Sequence, residues 1–453
     1  MDPEDRAAWD DLNTKEEAYA AFLDTLRARH PHYFALRYGE PQVTISDLRK
    51  RLVTPERNVL AYATTRDHLY MLVVRADTAA LVRISNKGLN EAVERLNDGI
   101  GSRSTQAYVE AAHALYTLAF APVEALLNEN ELLIIPDGAL HKVNFEALLT
   151  KPDARDFRKN LLIQRYAIAY LLSATTAVQF SELAEHRAQG TLAMAPGFDD
   201  ELKRRYASTV ADTAQLDHDY LRYVRQPFAL STAQGLGDLL SAKVMVGGEA
   251  SEKRFRELAK GYGILHLGTH AEMNERAPMY SRFVLSKDSA GMDADADGYL
   301  HAYEIYALDL RAQLAVLTAC ETGAGKNDDG EGVRSLGYSF AYAGCPSLVM
   351  SLWNIDEKVS SEIIARFYEH LADGMPKHEA LRQAKLEHLN NATDELALPY
   401  YWAGLVLVGD VSPVDVGSNA TRFLWWVLGA MVLLVVAVLI LRRRKVWNAT
   451  FRE

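Results

Sequence analysis

The sequence predicts an α/β fold: a mainly parallel sheet with helices over both faces. Three observations carry this expectation. From about residue 58 onward, short runs rich in Val, Leu, Ile and Ala recur with little polar alternation, the pattern of strands buried on both sides. Amphipathic segments of helical period fill most of the gaps between them. Turn-forming residues such as Pro136, Asp137 and Gly138 stand where one pattern gives way to the other. A further apolar run at 423–441 adds one C-terminal transmembrane helix to the expected architecture.

In chain order, residues 1–53 read as an N-terminal helical segment. "TKEEAYAAFLDTLRARH" spaces its apolar residues for a helix, and Pro31 and Pro41 break the pattern. Residues 54–188 form a first α/β unit. Its strands lie in "NVLAYATT", "HLYMLVVR", "AALVRIS" and "ELLIIPDG", with helices over 88–97 and 108–127. A second α/β unit occupies 189–412. Its expected strands are 192–195, 243–246, 264–267, 283–286, 314–318, 348–352 and 405–408, and its helices 252–260, 333–343, 358–373 and 377–390. The transmembrane helix at 423–441 and a basic tail at 442–453 follow.

The formal net charge of −11 over 453 residues, with no basic stripe in the soluble part, argues against a nucleic-acid partner. Two cysteines, Cys320 and Cys345, exclude a disulfide framework. Residues 1–20 are acidic and lack the apolar core of a secretory leader. The run 423–441 is close to the ~20 residues that span a bilayer. Trp425 and Trp426 mark one interface and Arg442, Arg443, Arg444 and Lys445 the other. A single-pass C-terminal anchor in a lipid bilayer is therefore expected. The basic flank favours the cytoplasm for the tail, which conflicts with the lack of an export signal and leaves the side of the main domain open.

In parallel sheets reactive groups collect beyond the carboxyl ends of strands. "GILHLGTHAE" places His270 just past one strand, and "LAVLTACETG" places Cys320 at the end of the next long one. If those strands are neighbours, both side chains stand over one edge. A thiol of ordinary pKa ~8.5 needs a base to become a nucleophile, and an imidazole both takes that proton and returns it to a leaving amine. The backbone N–H of Cys320, with that of Ala271 or Gly268, is suited to hold an oxyanion. Each residue alone has a plainer reading, core packing for the Cys and a structural His; the joint placement points to a thiol hydrolase. Cys345 precedes the strand after Cys320 and reads as core, too far away for a disulfide. His266 stands four residues before His270, but in a strand that spacing does not make a metal pair, so no metal or cofactor is expected.

"ILHLGTHA", "DGYLHAYEIYALDL", "LAVLTACETGAG", "GEGVRSLGYSFAYAGCPSLVMSLWNID" and "LPYYWAGLVLVGD", in that order, resemble the CHAT family of caspase-like cysteine peptidases, relatives of caspases, metacaspases and separase. The resemblance extends over about residues 58–410. It implies a His270–Cys320 dyad, a caspase-like sheet, and a degenerate preceding copy that lacks the dyad, here 54–188. Members usually follow tetratricopeptide repeats, so residues 1–53 are a candidate repeat remnant and a repeat-containing or regulatory protein an expected partner. Family members commonly carry Gly where this chain has Ala271, which restricts the backbone if φ > 0 is needed there. Trp353 is placed to line a substrate cleft. Asp356 is placed either to read a basic side chain or to cap the helix that follows.

"DADADGYLHAYE" fits the calcium-loop pattern through Asp293, Asp295, Asp297, Gly298 and Glu304, but a strand precedes it where a helix belongs, so a solvated acidic turn is the competing reading. "ETGAGKNDDGEG" lacks the spacing of a phosphate loop. The expected function is a membrane-anchored cysteine endopeptidase acting on protein substrates. The alternative is a catalytically weak or inactive module of the same fold, serving as a membrane-tethered interaction or signalling scaffold.

Overall fold

The computed structural model describes residues 3–29, 34–35, 38, 43–127, 130–182, 187–287, 296–319, 325–328 and 332–416. Cys320, Asp293, Asp295 and the apolar run 423–441 lie outside these residues. Among the described residues no helix is long and apolar enough to cross a membrane.

The strands are β1 (Arg57–Thr64), β2 (His68–Val74), β3 (Ala79–Ser85), β4 (Glu131–Ile135), β5 (Ala167–Tyr170), β6 (Thr191–Ala195), β7 (Lys243–Val246) and β8 (Ile264–Leu267). They continue with β9 (His270–Glu272), β10 (Arg282–Val284), β11 (Tyr299–His301), β12 (Leu314–Leu317), β13 (Gly325–Asp328), β14 (Gly332–Ser335), β15 (Ser347–Ser351) and β16 (Leu405–Gly409). Eleven of them form one sheet in the order β3-β2-β1-β4-β5-β16-β15-β12-β8-β6-β7. The uniformly apolar runs behave as their composition requires: β5, β6, β8, β12, β15 and β16 are buried along their whole length.

The two units read from the sequence are thus joined edge to edge. β1, β4, β5 and β16 run parallel to one another, and so do β15, β12, β8, β6 and β7; the two blocks meet at the antiparallel pair β15–β16. The carboxyl ends of the blocks therefore point to opposite edges of the sheet. The crossovers β8→β12→β15 advance in one direction and β6→β7 in the other. The right-handed rule then puts their helices on opposite faces. On one face Pro227–Leu240, Glu357–Ala372 and Lys377–Asn391 pack side by side. On the other, Phe340 of the helix Leu336–Tyr342 packs against Phe255 and Phe283.

The expected helix at 333–343 is shorter than its pattern suggested. Residues 332–335 pair with 325–328 as the hairpin β13–β14, and the helix begins only at Leu336. Val333 favours extended backbone, and a neighbouring strand was available to it. The N-terminal segment is helical over Pro3–Arg29 and again over Ile45–Arg51, where Thr44 and Asp47 form a capping box.

Polar groups of both units close the seam. Lys385, fully buried, donates to the Glu146 carboxylate and to the Leu405 carbonyl at 2.6 Å. Asn144 donates to the Ala403 carbonyl at 2.6 Å, and the Tyr170 hydroxyl accepts from the Phe145 N–H at 2.8 Å. Burial pulls the Lys385 ammonium below its ordinary pKa, and Glu146 opposes that pull. Breaking one half of such a pair leaves a buried charge without a partner. Lys385→Met is expected to destabilise the protein by about 3–5 kcal/mol. Adding Glu146→Leu should recover most of the loss. The urea midpoints of the two variants measure both effects; equal destabilisation by single and double variant would refute the pairing account.

Candidate active site

β8 and β12 are hydrogen-bonded neighbours, with Leu267 opposite Leu317, and the Thr318 N–H donates to the Leu267 carbonyl at 3.0 Å. The backbone leading to Cys320 therefore runs beside the backbone leading to His270. The Ser351 hydroxyl at the end of β15 donates to the Ala319 carbonyl at 2.6 Å, tying a third strand end to the residue before the cysteine. Trp353 follows directly at the same edge. It is half-buried, and its indole N–H donates to the Tyr400 carbonyl at 3.1 Å.

His270 opens β9, the outer strand of the small antiparallel sheet β11-β10-β9. Its Nε2 lies 2.9 Å from the Val224 carbonyl oxygen. A carbonyl only accepts, so in the neutral ring Nε2 carries the proton and Nδ1 keeps the lone pair that a base requires. Tyr223 stacks on the imidazole at 5.1 Å and 24°, and Phe198 meets it at 5.0 Å and 55°. Burial among these rings lowers the His270 pKa; the Val224 carbonyl opposes the shift, Lys203 adds to it, and Glu272 opposes it.

The rings belong to a second, smaller core. Phe198, Tyr206, Val210, Tyr220, Val284 and Tyr299 bury one another, with Tyr223 against them. The segment that supplies them begins at the carboxyl end of β6, where Gly197 and Phe198 both take left-handed backbone, φ 72° and 49°. A Cβ at 197 would stand 2.4 Å from Leu230, so only glycine fits there. The segment is tied down along its length. The Gln226 N–H returns to the Gly197 carbonyl at 2.9 Å, and Asp217 accepts from Lys287 at 2.9 Å and from the Tyr299 hydroxyl at 2.5 Å. These donors and the Tyr220 N–H hold the Asp217 carboxyl at about 2 against the opposing effect of burial. The Tyr223 hydroxyl donates to Glu272, which also receives Arg282 at 2.7 Å.

The strand pairing decides which N–H groups are free for an oxyanion. The Gly268 N–H already donates to the Met194 carbonyl at 3.0 Å, which removes it as a candidate. The Ala302 N–H bonds the Ser281 carbonyl and the Leu285 N–H the Gly298 carbonyl, so residues 281, 283 and 285 face β11. Arg282 and Val284 then face β9, where they pair with Glu272 and His270. By the same alternation the N–H and C=O of Ala271 point away from the sheet, to its open edge. Ala271 sits in a strand and is not among the positive-φ residues, so its Cβ brings no backbone penalty.

The remaining expected residues divide. Asp356 Oδ1 accepts from the Val359 N–H at 2.9 Å and caps the helix Glu357–Ala372; one carboxylate oxygen remains for other work. Cys345 is buried at the amino end of β15, the edge away from Ala319, and burial pushes its thiol up to about 11. His266 is buried against Tyr368, whose hydroxyl lies 3.2 Å from Nδ1, and desolvation brings its pKa down to about 4, so it stays neutral. Glu304, the last residue of the calcium-loop pattern, accepts from the His301 N–H at 2.8 Å as a helix cap and pairs with Arg256. Sequence reading missed Tyr223, Val224 and Phe198. Val224 acts through its carbonyl, which leaves no trace in residue type.

A family model for the CHAT domain matches residues 109–410. No curated protein matches the sequence significantly. Among solved structures, a chain of the Saccharomyces cerevisiae separase–securin complex is similar over 81% of this chain and 31% of its own length, with a TM-score of 0.46 and 10% identity. The chain thus spans about a third of that protein. The Arg-specific cysteine proteinase gingipain R is similar over 73% of this chain and 76% of its own, with a TM-score of 0.39 and 8% identity. The complex of Porphyromonas gingivalis RgpB pro- and mature domains gives 73%, 77%, 0.37 and 8%.

If ring burial sets the state of His270, unstacking must raise its pKa toward the ordinary ~6.5. In Cys320→Ala protein, Tyr223→Leu is expected to move the NMR-detected titration of the His270 ring to higher pH, with Lys203 and Glu272 unchanged. An unmoved titration would show that the stack does not control the imidazole.

Proposed function

We propose, from the premise that this chain belongs to the CHAT domain family, that it is a cysteine endopeptidase working through His270 and Cys320. The observation that carries the reading is the Val224 carbonyl on His270 Nε2, which leaves Nδ1 as the base at the edge toward which the cysteine-bearing strand runs. In this reading Nδ1 takes the Cys320 thiol proton, and the thiolate attacks the scissile carbonyl. The oxyanion is received by the outward N–H of Ala271 and the N–H of Cys320. His270 then protonates the leaving amine, and water, activated by the same imidazole, hydrolyses the thioester. The lowered His270 pKa keeps the base neutral further into the acid range, because a base works only above its own pKa.

Trp353 is assigned to the wall of the substrate cleft. The free oxygen of Asp356 is assigned to recognition of a basic side chain; the cap fixes its direction. Residues 54–188 are read as a degenerate copy of the peptidase unit, since β1, β4 and β5 run parallel as in a second such unit and the segment holds no cysteine. Residues 423–441 are read as a single-pass membrane anchor, with a repeat-containing or regulatory protein as partner for the exposed N-terminal helix. The scaffold alternative draws its support from Ala271, and the strand conformation of that residue weakens it.

A thiol-reactive electrophilic peptide is expected to label the protein at Cys320 alone. Cys320→Ala should abolish labelling and Cys345→Ala should leave it, and His270→Ala should slow turnover by about 10²–10⁴-fold. Equal labelling of the two cysteine variants would sink the peptidase reading. For the anchor, the full chain should stay with membranes through alkaline carbonate extraction, while a chain ending at residue 416 should be released. Release of both would remove the anchor.

A further inference from the structure

The small sheet carries two rows of side chains on the face that presents His270. One row is His270, Val284 and Tyr299; the next is Glu272, Arg282 and His301. The aromatic segment 198–224 covers the first row only. Over the second row no described segment lies, which leaves a cleft of about 640 Å³ lined by Glu272, Met273, Tyr280, Arg282 and His301, with Glu275 and Arg276 at its rim. Tyr223 is the partition between the two halves: its ring stacks on His270 and its hydroxyl bonds Glu272.

Two charges of the cleft, Glu275 and Arg276, stand exposed at its solvent rim, and those deeper in the wall are already paired. Arg282 binds Glu272 and lies over the Tyr299 ring at 3.5 Å. What the wall inside that rim offers is aromatic surface. Tyr280, in the wall, is 60% exposed, and Tyr303, which backs it from outside the cleft, 44% exposed; both are held in place, for Tyr303 stacks on His301 at 5.2 Å and meets Tyr280 edge-on at 5.7 Å. Exposed large rings that are fixed by one another, beside a concave surface, are the features of a recognition site rather than of scattered surface residues.

The direction of the reaction says which part of a substrate arrives there. An imidazole that protonates the leaving amine must stand on the leaving side of the scissile bond. The polypeptide beyond that bond therefore passes His270 toward Glu272, along an edge strand whose Ala271 carbonyl faces outward to accept an N–H. Glu272 is two residues further on, roughly 7 Å at ~3.3 Å per residue, which brings the second or third leaving-side residue over the cleft. We propose that this cleft is a subsite for the leaving-side segment of a polypeptide substrate and that it takes an aromatic side chain at that position. The inference rests on the peptidase reading and gives it a substrate class: proteins cleaved a short way before an aromatic residue in extended backbone.

The test is the cleavage of a mixed peptide library by the full chain, with new N-termini read by mass spectrometry. Phe, Tyr and Trp should be enriched at the second or third residue after the cleaved bond. Peptides carrying them should show kcat/KM about tenfold above matched Ser peptides, mostly through KM. Tyr280→Ala and, separately, Tyr303→Ala should flatten that enrichment. An aminocoumarin amide with the acyl-side sequence found in the library has no leaving-side residues and reports the dyad alone. Turnover of that amide together with a flat leaving-side profile, or with a preference for charged residues there, overturns the subsite and leaves the peptidase standing. No cleavage of library or amide overturns both.

Discussion

The constraint on which the molecule depends is the reversal between β15 and β16. Two parallel blocks, each able to cover itself with its own helices, run in opposite directions and are stitched through this one antiparallel pair. Parallel strands buried on both faces leave few polar groups for specifying register. Here the specification within the first block comes from Lys385, Glu146, Asn144 and Tyr170, which lock the segment around β5 against the residues entering β16. A buried ion pair adds little net stability, but with every partner in place it penalises any other docking of β16 beside β5. The reversal also sends the strand ends of the two blocks to opposite edges. His270, Ala319 and Trp353 share an edge because β8, β12 and β15 run the same way, and the carboxyl ends of β4 and β5 face elsewhere.

At that edge the imidazole is governed by backbone more than by charge. Val224 supplies a carbonyl in the place where a carboxylate orienter would add a negative charge beside the ring. A neutral acceptor fixes the tautomer with little gain in basicity, and the surrounding rings lower the pKa further. In the proposed dyad such a ring would be matched to a thiol, which at pKa ~8.5 needs a far weaker base than a serine hydroxyl does.

Much of this was legible because it depends on hydrophobic pattern. The strands of β6, β8, β12, β15 and β16 are apolar throughout, and a run of that kind within an α/β chain has few other places to go. His270 could be found because a polar residue directly after such a run stands at a strand end. Other features were hidden for physical reasons. Residues 332–335 carry no signal that separates a hairpin arm from a first helical turn. The joining of two units into one sheet depends on pairing between β5 and β16, which are far apart in sequence, and a buried Lys385 looks in sequence like any helical lysine. Tyr223 and Phe198 belong to a stretch with no periodicity at all. They reach the imidazole only because Gly197 and Phe198 turn the chain left-handed after β6.

That turn has a cost. A side chain as large as phenylalanine in the left-handed region loses roughly 1–2 kcal/mol relative to ordinary backbone. The packing of its ring with Tyr220, Tyr223 and His270, within the small aromatic core, offsets that cost. When the aromatic segment lifts away, Phe198 relaxes, so opening this region recovers energy that opening the sheet does not. Warming or mild denaturant should then strip the rings from the imidazole while the eleven strands remain paired, so the surroundings of His270 would loosen well before the architecture does.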